Sequence, residues 1–346
     1  MRNAALIRLV LTSTLLVLAW LLPLLATSAE AQERSYREMR AEVVELYTQD
    51  RFAEAAEILE GALDLYPDNV MANCFNLALM RLRLGEYDRG IEALEYGLDH
   101  GIWYGDYQLL GEDWNPLRER PSWSAFERRN AEAKAVEQAQ VEGRLEVVVP
   151  DGYLPSQRYP VFIALHGGGE NIDVFMPQWT SSVLRREFIV VFPQSTQLVA
   201  MNGYNWTNDI ELSLREIKEA YEEVVRTLPV DTDEVMVGGF SSGGVASLEV
   251  VLKDALPVRG FVALCPGMPE DFTAEAVLAA KDRGIRGTLL TTEMDGRVDQ
   301  QRRMAEIMLE VGLSHEFYIT PNVGHWYPDD LGERIDRAVA HIREGR

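Results

Sequence analysis

Cysteine is scarce in this chain of 346 residues, which contains only two. A domain stabilised by a disulfide framework would need more, and no Cys or His residues have the spacing of a zinc site. Cys74 and Cys265 lie far apart in the sequence, each among apolar residues. We therefore expect both to be buried hydrophobic side chains. Neither a Walker-type phosphate loop nor an H-E-x-x-H motif is present, and the sequence predicts no metal and no cofactor.

Positive charge is also in short supply, since 33 Lys and Arg face 55 Asp and Glu and leave a formal net charge of −22. Proteins bind nucleic acids mainly by placing Lys and Arg against phosphates, so we expect no nucleic-acid partner. The acidic excess is spread along the chain and favours solubility. Hydrophobic residues at 47% and charged residues at 25% are typical of a folded globular chain. At about 150 residues per domain, the length predicts two domains.

Long hydrophobic runs are absent except for residues 9–26, which carry no charge. Two arginines precede this run and small residues follow it, a pattern typical of a secretory signal peptide. We predict a signal peptide over residues 1–31, cleaved after Ala31 or, as second choice, after Ala29. The run is also long enough for an uncleaved membrane anchor. Both interpretations place the rest of the chain outside the cytoplasm, as a periplasmic or secreted protein.

Residues 35–140 show a helical pattern with a short internal repeat. Small and apolar residues recur at the same helical spacing in two stretches: Phe52, Ala55, Leu59 and Ala62, then Tyr87, Gly90, Leu94 and Gly97. The pattern resembles the tetratricopeptide repeat, although the second copy is degenerate. We predict an all-α domain closed by a tryptophan-bearing cap at residues 113–123 and followed by a linker helix from Asn130. It is either a surface for a protein partner or a packing module.

The pattern changes at residue 144 to short apolar strands that alternate with amphipathic helices. Strands are predicted at residues 145–149, 161–165, 188–192, 234–237, 260–264, 288–291 and 316–319. Helices are predicted at residues 213–227, 244–253, 300–311 and 331–343. The alternation predicts an α/β domain over residues 144–346, with a doubly wound, mostly parallel sheet. In such sheets the functional residues lie at the carboxyl ends of the strands.

A glycine-rich motif joins one of these strands to the following helix. The segment Gly239-Phe240-Ser241-Ser242-Gly243 fits G-x-S-x-G between a strand and a helix. The turn must be sharp, because it projects the serine hydroxyl above the sheet. Glycines are needed on both sides, since a Cβ there would collide with neighbouring backbone. Ser241 is therefore the candidate nucleophile.

A second glycine cluster, His166-Gly167-Gly168-Gly169, follows the predicted strand at residues 161–165. Backbone N–H groups without side chains can approach a developing oxyanion closely. With the first motif, this cluster makes residues 144–346 resemble an α/β-hydrolase. The nearest types are compact secreted feruloyl- and acetyl-esterases and polyhydroxybutyrate-depolymerase-like proteins. The resemblance implies an oxyanion hole formed by Gly168 and Ser242, with Gly169 as a third donor.

In this family an acid and then a histidine follow the serine along the chain. Elimination leaves His325 as the base, because the other histidines lie in the repeat, at the head of the glycine cluster, at a strand start and on the last helix: His100, His166, His315 and His341. The family places the acid a few residues after the preceding strand, which implies Asp295. Asp299 and Glu293 are the alternatives.

Aromatic residues in two loops are candidates for substrate contacts. Similar loops in the esterase families lie over the pocket, which implies roles for Tyr204, Trp206 and Trp326. Aromatic faces suit sugar rings and phenolic groups equally well. The expected substrate is therefore a small-molecule or polysaccharide-linked ester.

These features predict an exported serine carboxylic-ester hydrolase that forms an acyl-enzyme. One alternative is a serine peptidase of the prolyl-oligopeptidase type, because Gly244 extends the motif to G-x-S-x-G-G. Those peptidases carry a large propeller, whereas this chain carries a short helical repeat. The other alternative is a non-catalytic repeat scaffold with a degenerate hydrolase fold.

Overall fold

The computed structural model describes residues 36–344, which form two compact units. The first contains the chain up to Trp103 together with Leu109–Ala133, and the second contains Tyr104–Gln108 and the chain from Lys134 onward. The predicted signal peptide lies outside the described residues. Among residues 36–344, none of the helices combines the length and the apolar character needed to cross a bilayer.

The first unit is built from helices. They are α1 (36–48), α2 (Phe52–Leu65), α3 (Val70–Arg83), α4 (Tyr87–Asp99), α5 (Asn115–Arg118) and α6 (Trp123–Gln138), with 3₁₀ turns at Pro67–Asn69 and Glu112–Trp114. Helix α6 runs past Ala133 into the second unit. The predicted linker helix from Asn130 is thus the second half of a longer helix.

Small residues allow the helices of the first unit to pack closely. Helix α2 packs against α3, and α3 packs against α4. Ala55 and Ala62 of the repeat pattern are buried on α2, and so is the neighbouring Ala56. A Cβ on Gly90 would lie 3.4 Å from the Ala78 carbonyl oxygen of α3, so glycine suits this helix crossing. The assignment to the tetratricopeptide family stays a prediction.

The predicted cap covers part of this helical array. The Trp114 side chain is 5% exposed, and its ring centroid lies 5.2 Å from that of Phe75 on α3. Leu117 and Trp123 are also buried. These residues cover apolar helix surface that would otherwise face water.

The second unit is organised around a seven-stranded sheet. Its strands are β1 (Arg144–Val148), β2 (Tyr159–Leu165), β3 (Ile189–Gln194), β6 (Val230–Phe240), β7 (Gly260–Leu264), β8 (Arg286–Thr292) and β9 (His315–Thr320), while β4 (Gln197–Ala200) and β5 (Gly203–Asn205) form a separate antiparallel hairpin. The order is β1-β3-β2-β6-β7-β8-β9, and only β1 is antiparallel to its neighbour. The prediction of a mostly parallel sheet is confirmed.

Helices cover both faces of the sheet. They are α7 (Ile172–Phe175), α8 (Ser182–Glu187), α9 (Ile210–Thr227), α10 (Ser242–Leu252), α11 (Ala274–Asp282), α12 (Val298–Val311) and α13 (Leu331–Arg343). Apolar residues of α9 to α12 form one core layer with one face of the sheet, and residues of α7, α8 and α13 form a second layer on the other face.

The central strand β2 has an apolar sequence because helices cover both of its faces. Val161, Ile163 and Leu165 belong to one core layer, whereas Phe162 and Ala164 belong to the other. Successive side chains of a strand point to opposite faces, so a strand covered on both faces needs apolar residues at every position. This arrangement places the carboxyl ends of β2, β6, β7 and β8 at one edge of the sheet, because these strands are parallel.

Candidate functional site

The turn between β6 and α10 places Ser241 in a strained conformation. Its φ of 53° and ψ of −111° are unusual for a residue with a side chain. The Ser241 N–H donates to the Leu264 carbonyl oxygen of β7 at 2.8 Å, which holds the turn against the sheet. A Cβ on Gly239 would lie 2.5 Å from the Leu165 carbonyl oxygen, and one on Gly243 would lie 2.2 Å from it. Both glycines are therefore required for this turn to pack beside β2.

The structure brings Ser241, His325 and Asp295 into one chain of hydrogen bonds. The Ser241 Oγ lies 2.8 Å from His325 Nε2, and His325 Nδ1 lies 3.0 Å from Asp295 Oδ2. Ser241 follows β6, Asp295 follows β8, and His325 follows β9. The three side chains meet because the carboxyl ends of these parallel strands lie at the same edge of the sheet.

Asp295 is buried, with 4% of its surface exposed. Burial alone would raise its pKa, but hydrogen bonds from Gln301 Nε2 at 3.0 Å, from His325, and from the Arg297 N–H at 2.9 Å outweigh it and lower the pKa below the usual value. The carboxylate therefore stays ionised and accepts from His325 Nδ1–H. This leaves Nε2 without a hydrogen and able to accept the proton of Ser241.

The alternative acids lie elsewhere. Glu293 Oε2 accepts from the Asn322 N–H at 3.0 Å and is exposed, and Asp299 is exposed in the first turn of α12. Neither contacts His325 among the described hydrogen bonds, whereas Asp295 does.

His166, which precedes the glycine cluster, has a structural environment. Its side chain is fully buried, and the Ser195 N–H donates to its Nε2 at 3.2 Å. Its Nδ1 then carries the hydrogen and donates to the Gly167 carbonyl oxygen at 2.8 Å. Burial lowers the pKa of His166 to about 4, so the ring stays neutral at physiological pH.

The glycine cluster lies beside the serine, but its three N–H groups differ in availability. The Gly169 N–H donates to the Tyr204 carbonyl oxygen at 2.8 Å, so the prediction of Gly169 as a third oxyanion donor is wrong. Gly168 and Ser242 lie side by side, since a Cβ on Gly168 would be 3.4 Å from Ser242 Oγ. Within residues 36–344, neither of these two N–H groups has a backbone acceptor. Ser242 is also the first residue of α10, whose helix N-terminus favours negative charge.

The predicted aromatic contacts separate into two groups. Trp206 has no exposed surface and belongs to the hydrophobic core, where its ring lies 5.1 Å from that of His166. The prediction that Trp206 contacts substrate is therefore wrong. Trp326 is 53% exposed and follows His325 directly, and Tyr204 is partly exposed. These two remain candidates for substrate contacts.

Cys265, Asp295 and His325 place their ligand atoms within 4.8 Å of one another. The closeness of these three groups is explained by the packing and pairing of the side chains themselves. Burial raises the pKa of the Cys265 thiol to about 12, which keeps it protonated. In addition, His325 Nδ1 and Asp295 Oδ2 already satisfy each other.

Glu170 is a further residue of the site, which the sequence motifs do not predict. Its Oε2 accepts from the Gly167 N–H at 2.8 Å and from the Tyr327 hydroxyl at 2.7 Å. It thereby joins the glycine cluster to the segment that carries His325. Its position directly after the glycine cluster was a signal, since a glutamate that is partly buried there needs a hydrogen-bond partner.

Glu170 also gives a testable pH dependence of stability. Burial raises its pKa, although Tyr327 and Gly167 oppose the shift. A raised pKa in the folded state means that folding favours the neutral form, so this stabilisation is complete below the unfolded value of about 4.3 and is lost as pH rises through the folded value. Glu170→Gln removes the titration. We expect the melting temperature of the variant, relative to wild type, to increase as pH rises from 4 to 7.

Thermal unfolding of both proteins across this pH range measures the difference. Glu219→Gln, which changes an exposed glutamate of α9, is the control for removing one negative charge. A difference that falls with rising pH, or that the control reproduces, would contradict the role assigned to Glu170.

No protein-family model matches this sequence, and no curated protein matches it significantly. Among solved structures, the protein is similar to an uncharacterized protein from Bacillus cereus ATCC 10987, with 24% identity, coverage of 90% of this chain and 99% of that chain, and a TM-score of 0.51. It is also similar to esterase PE8, with 17% identity, coverage of 59% and 99%, and a TM-score of 0.47. A ferulic acid esterase gives 14% identity, coverage of 59% and 93%, and a TM-score of 0.47.

At this identity, the first similarity shows a shared fold and nothing about activity. The TM-scores of the two esterases are too low to support an argument. The mostly parallel sheet with helices on both faces fits the α/β-hydrolase fold. Any statement about chemistry therefore depends on the residues of the site.

Proposed function

We propose that this protein is a serine hydrolase that cleaves carboxylic esters through an acyl-enzyme on Ser241. The observation that supports this function best is the unbroken chain of hydrogen bonds from Ser241 through His325 to the ionised Asp295. The same geometry recurs on unrelated folds wherever a serine hydroxyl acts as a nucleophile.

In the first half-reaction, Ser241 Oγ attacks the ester carbonyl carbon while His325 Nε2 takes its proton. The carbonyl oxygen becomes an oxyanion, which accepts hydrogen bonds from the N–H groups of Gly168 and Ser242. Collapse of this intermediate breaks the bond to the alcohol oxygen, which receives the proton from His325. Water then attacks the acyl-enzyme by the same steps and releases the acid, restoring the Ser241 hydroxyl.

A fluorophosphonate probe and a substrate panel test this function. We expect the probe to label wild-type protein at Ser241, with faster turnover of p-nitrophenyl esters than of aminoacyl or peptidyl amides. Faster turnover of the amides would favour the peptidase interpretation. Absence of both labelling and turnover would favour the non-catalytic scaffold.

The exposed Trp326 and the partly exposed Tyr204 support a substrate with a planar or ring-bearing group beside the site. We accordingly propose a small-molecule or polysaccharide-linked ester. The helical repeat is proposed as a surface for a protein partner. Removal of residues 32–103, which contain the repeat, tests this by comparing partner capture with turnover of p-nitrophenyl acetate.

Export is proposed on the basis of the sequence of residues 1–31. If the signal peptide is cleaved as predicted, the mature protein begins at Gln32. Mass spectrometry of the N-terminal peptide from a secreting host measures this directly. An N-terminal peptide that retains residues 9–26 would support the uncleaved anchor instead.

A further inference from the structure

The segment Tyr104–Gln108 belongs to the second unit, although the chain on either side of it belongs to the first. Gly105 lies directly against the β4–β5 hairpin, where a Cβ would come within 2.3 Å of the Val199 carbonyl oxygen. Such a close approach of two backbones is open only to glycine. The segment is therefore seated on the hairpin rather than loosely attached.

Internal contacts fix the conformation of this segment. The Gln108 N–H donates to the Gly105 carbonyl oxygen at 3.0 Å, and the Gly105 N–H donates to Gln108 Oε1 at 2.8 Å. Asp106 forms an ion pair with Lys134 at 2.8 Å. Tyr107, between these residues, is thus presented from a closed turn, and its side chain is 57% exposed.

The Tyr107 hydroxyl lies near the glycine cluster, with one buried amide between them. Asn205 of β5 has no exposed surface, and its Nδ2 donates to Tyr107 Oη at 3.2 Å. Nδ2 also lies within hydrogen-bond distance of Thr207 Oγ1 at 2.9 Å and of Asn208 Oδ1 at 2.8 Å, so its two hydrogens are shared among three acceptors that all lie on one side of the amide. Asn205 Oδ1 consequently faces Gly168, 3.0 Å from the position of a Cβ on that residue.

The direction of this hydrogen bond leaves the Tyr107 hydroxyl with a hydrogen to donate. Tyr107 Oη acts as acceptor from Asn205 Nδ2, and no acceptor for the phenolic hydrogen occurs within residues 36–344. A tyrosine hydroxyl both donates and accepts, and a donor without a partner can bind an external acceptor. Only the Asn205 side chain separates the Tyr107 hydroxyl from Gly168, which we assign to the oxyanion hole.

We propose that Tyr107 is a substrate-binding residue that selects esters with a second oxygen acceptor close to the scissile carbonyl. An ether, hydroxyl or carbonyl oxygen of the substrate would accept the phenolic hydrogen while the ester binds at Ser241. This inference rests on the proposed esterase function. Substrate binding would also account for the exposed tyrosine in segment 104–108, because an exposed side chain contributes little to the core.

Two isosteric substrate pairs test the proposal. On the acyl side, p-nitrophenyl methoxyacetate differs from p-nitrophenyl butyrate by an oxygen in place of a methylene. On the alcohol side, 2-methoxyethyl acetate differs from butyl acetate in the same way. The measured quantity is the ratio of kcat/KM within each pair, which is compared between wild type and Tyr107→Phe so that intrinsic reactivity cancels.

We expect Tyr107→Phe to lower one of the two ratios by about 2- to 12-fold, the factor that corresponds to one neutral hydrogen bond. Tyr153→Phe is the matched control. Tyr153 precedes β2 and so lies toward the end of that strand opposite to the glycine cluster.

If both ratios are the same in Tyr107→Phe and wild type while butyrate is hydrolysed normally, the proposal for Tyr107 is overturned and the esterase function stands. If wild type neither hydrolyses the esters nor reacts with a fluorophosphonate, the proposed esterase function is overturned, and with it the proposed role of Tyr107. A change in ratio that Tyr153→Phe reproduces would also overturn the proposal.

Discussion

Replacing Ser241 with alanine is expected to lower kcat for ester hydrolysis by up to ~10⁶. The alanine variant lacks the Ser241 Oγ, the atom that attacks the carbonyl carbon and gives its proton to His325 Nε2 at 2.8 Å. The backbone should be unaffected, because the strained φ of 53° comes from the close packing of Gly239 and Gly243 against β2. Binding of substrate and the oxyanion donors would remain, so some activity over water is expected.

The measurement is kcat for p-nitrophenyl acetate, with fluorophosphonate labelling as a second readout. Ser247→Ala is the matched control, because Ser247 lies on the same helix and its buried hydroxyl donates to the Gly244 carbonyl oxygen at 2.7 Å. Full labelling and turnover are expected in the control. A Ser241→Ala protein that hydrolyses the ester at the wild-type rate would refute the assignment of the nucleophile.

Asp295→Asn is expected to lower kcat by roughly 10⁴, the loss typical when the histidine is held in the wrong tautomer. In the wild type, both carboxylate oxygens act only as acceptors. Oδ2 accepts from His325 Nδ1 and from Gln301 Nε2, and Oδ1 accepts from the Arg297 N–H. An asparagine has one acceptor and one donor, so it cannot satisfy all three groups.

Each orientation of the asparagine amide has a specific cost. With its NH₂ at the Oδ2 position, the amide faces the Gln301 NH₂ and can pair with His325 only if Nδ1 becomes the acceptor. The ring hydrogen then sits on Nε2, which can no longer take the proton from Ser241. With its NH₂ at the Oδ1 position, two donors meet at the Arg297 N–H, which leaves a buried donor unpaired. Activity is therefore lost in the first orientation and stability in the second.

Steady-state kinetics and thermal unfolding of Asp295→Asn separate these two effects. Asp299→Asn and Glu293→Gln are the controls, because both remove an acidic group from the same region without removing a contact to His325. We expect both controls to retain nearly wild-type kcat. If either of them loses as much activity as Asp295→Asn, the assignment of the acid is wrong.

Local patterns predicted most of the sheet of the second unit. The strand at residues 260–264 has the predicted bounds, and the helix at residues 331–343 does as well. The other predicted strands and helices are present with ends shifted by a few residues. The hairpin β4–β5 and the short helices α7, α8 and α11 were not predicted. Elements of three to nine residues show too little of a repeating pattern to stand out from loops.

The errors in the predicted site have a common physical cause. Trp206 is part of the core rather than of the surface, and the Gly169 N–H is used by Tyr204. Both outcomes depend on which groups the β4–β5 hairpin covers. The sequence pattern did not predict this hairpin, so its contacts could not be predicted either. Tyr107 was missed for a related reason, since nothing in its neighbourhood along the chain predicts a contact with Asn205.

By itself, the sequence determined where the chain turns sharply and which side chains could carry out acyl transfer. Glycine at 239 and 243 and serine at 241 are local requirements of one tight turn, and local requirements are readable in order along the chain. Only the tertiary structure decided which acid meets His325, which N–H groups keep an unused hydrogen, and which aromatic rings reach the surface. These are properties of side chains that lie far apart in sequence, and their pairing is fixed by the packing of the strands against one another.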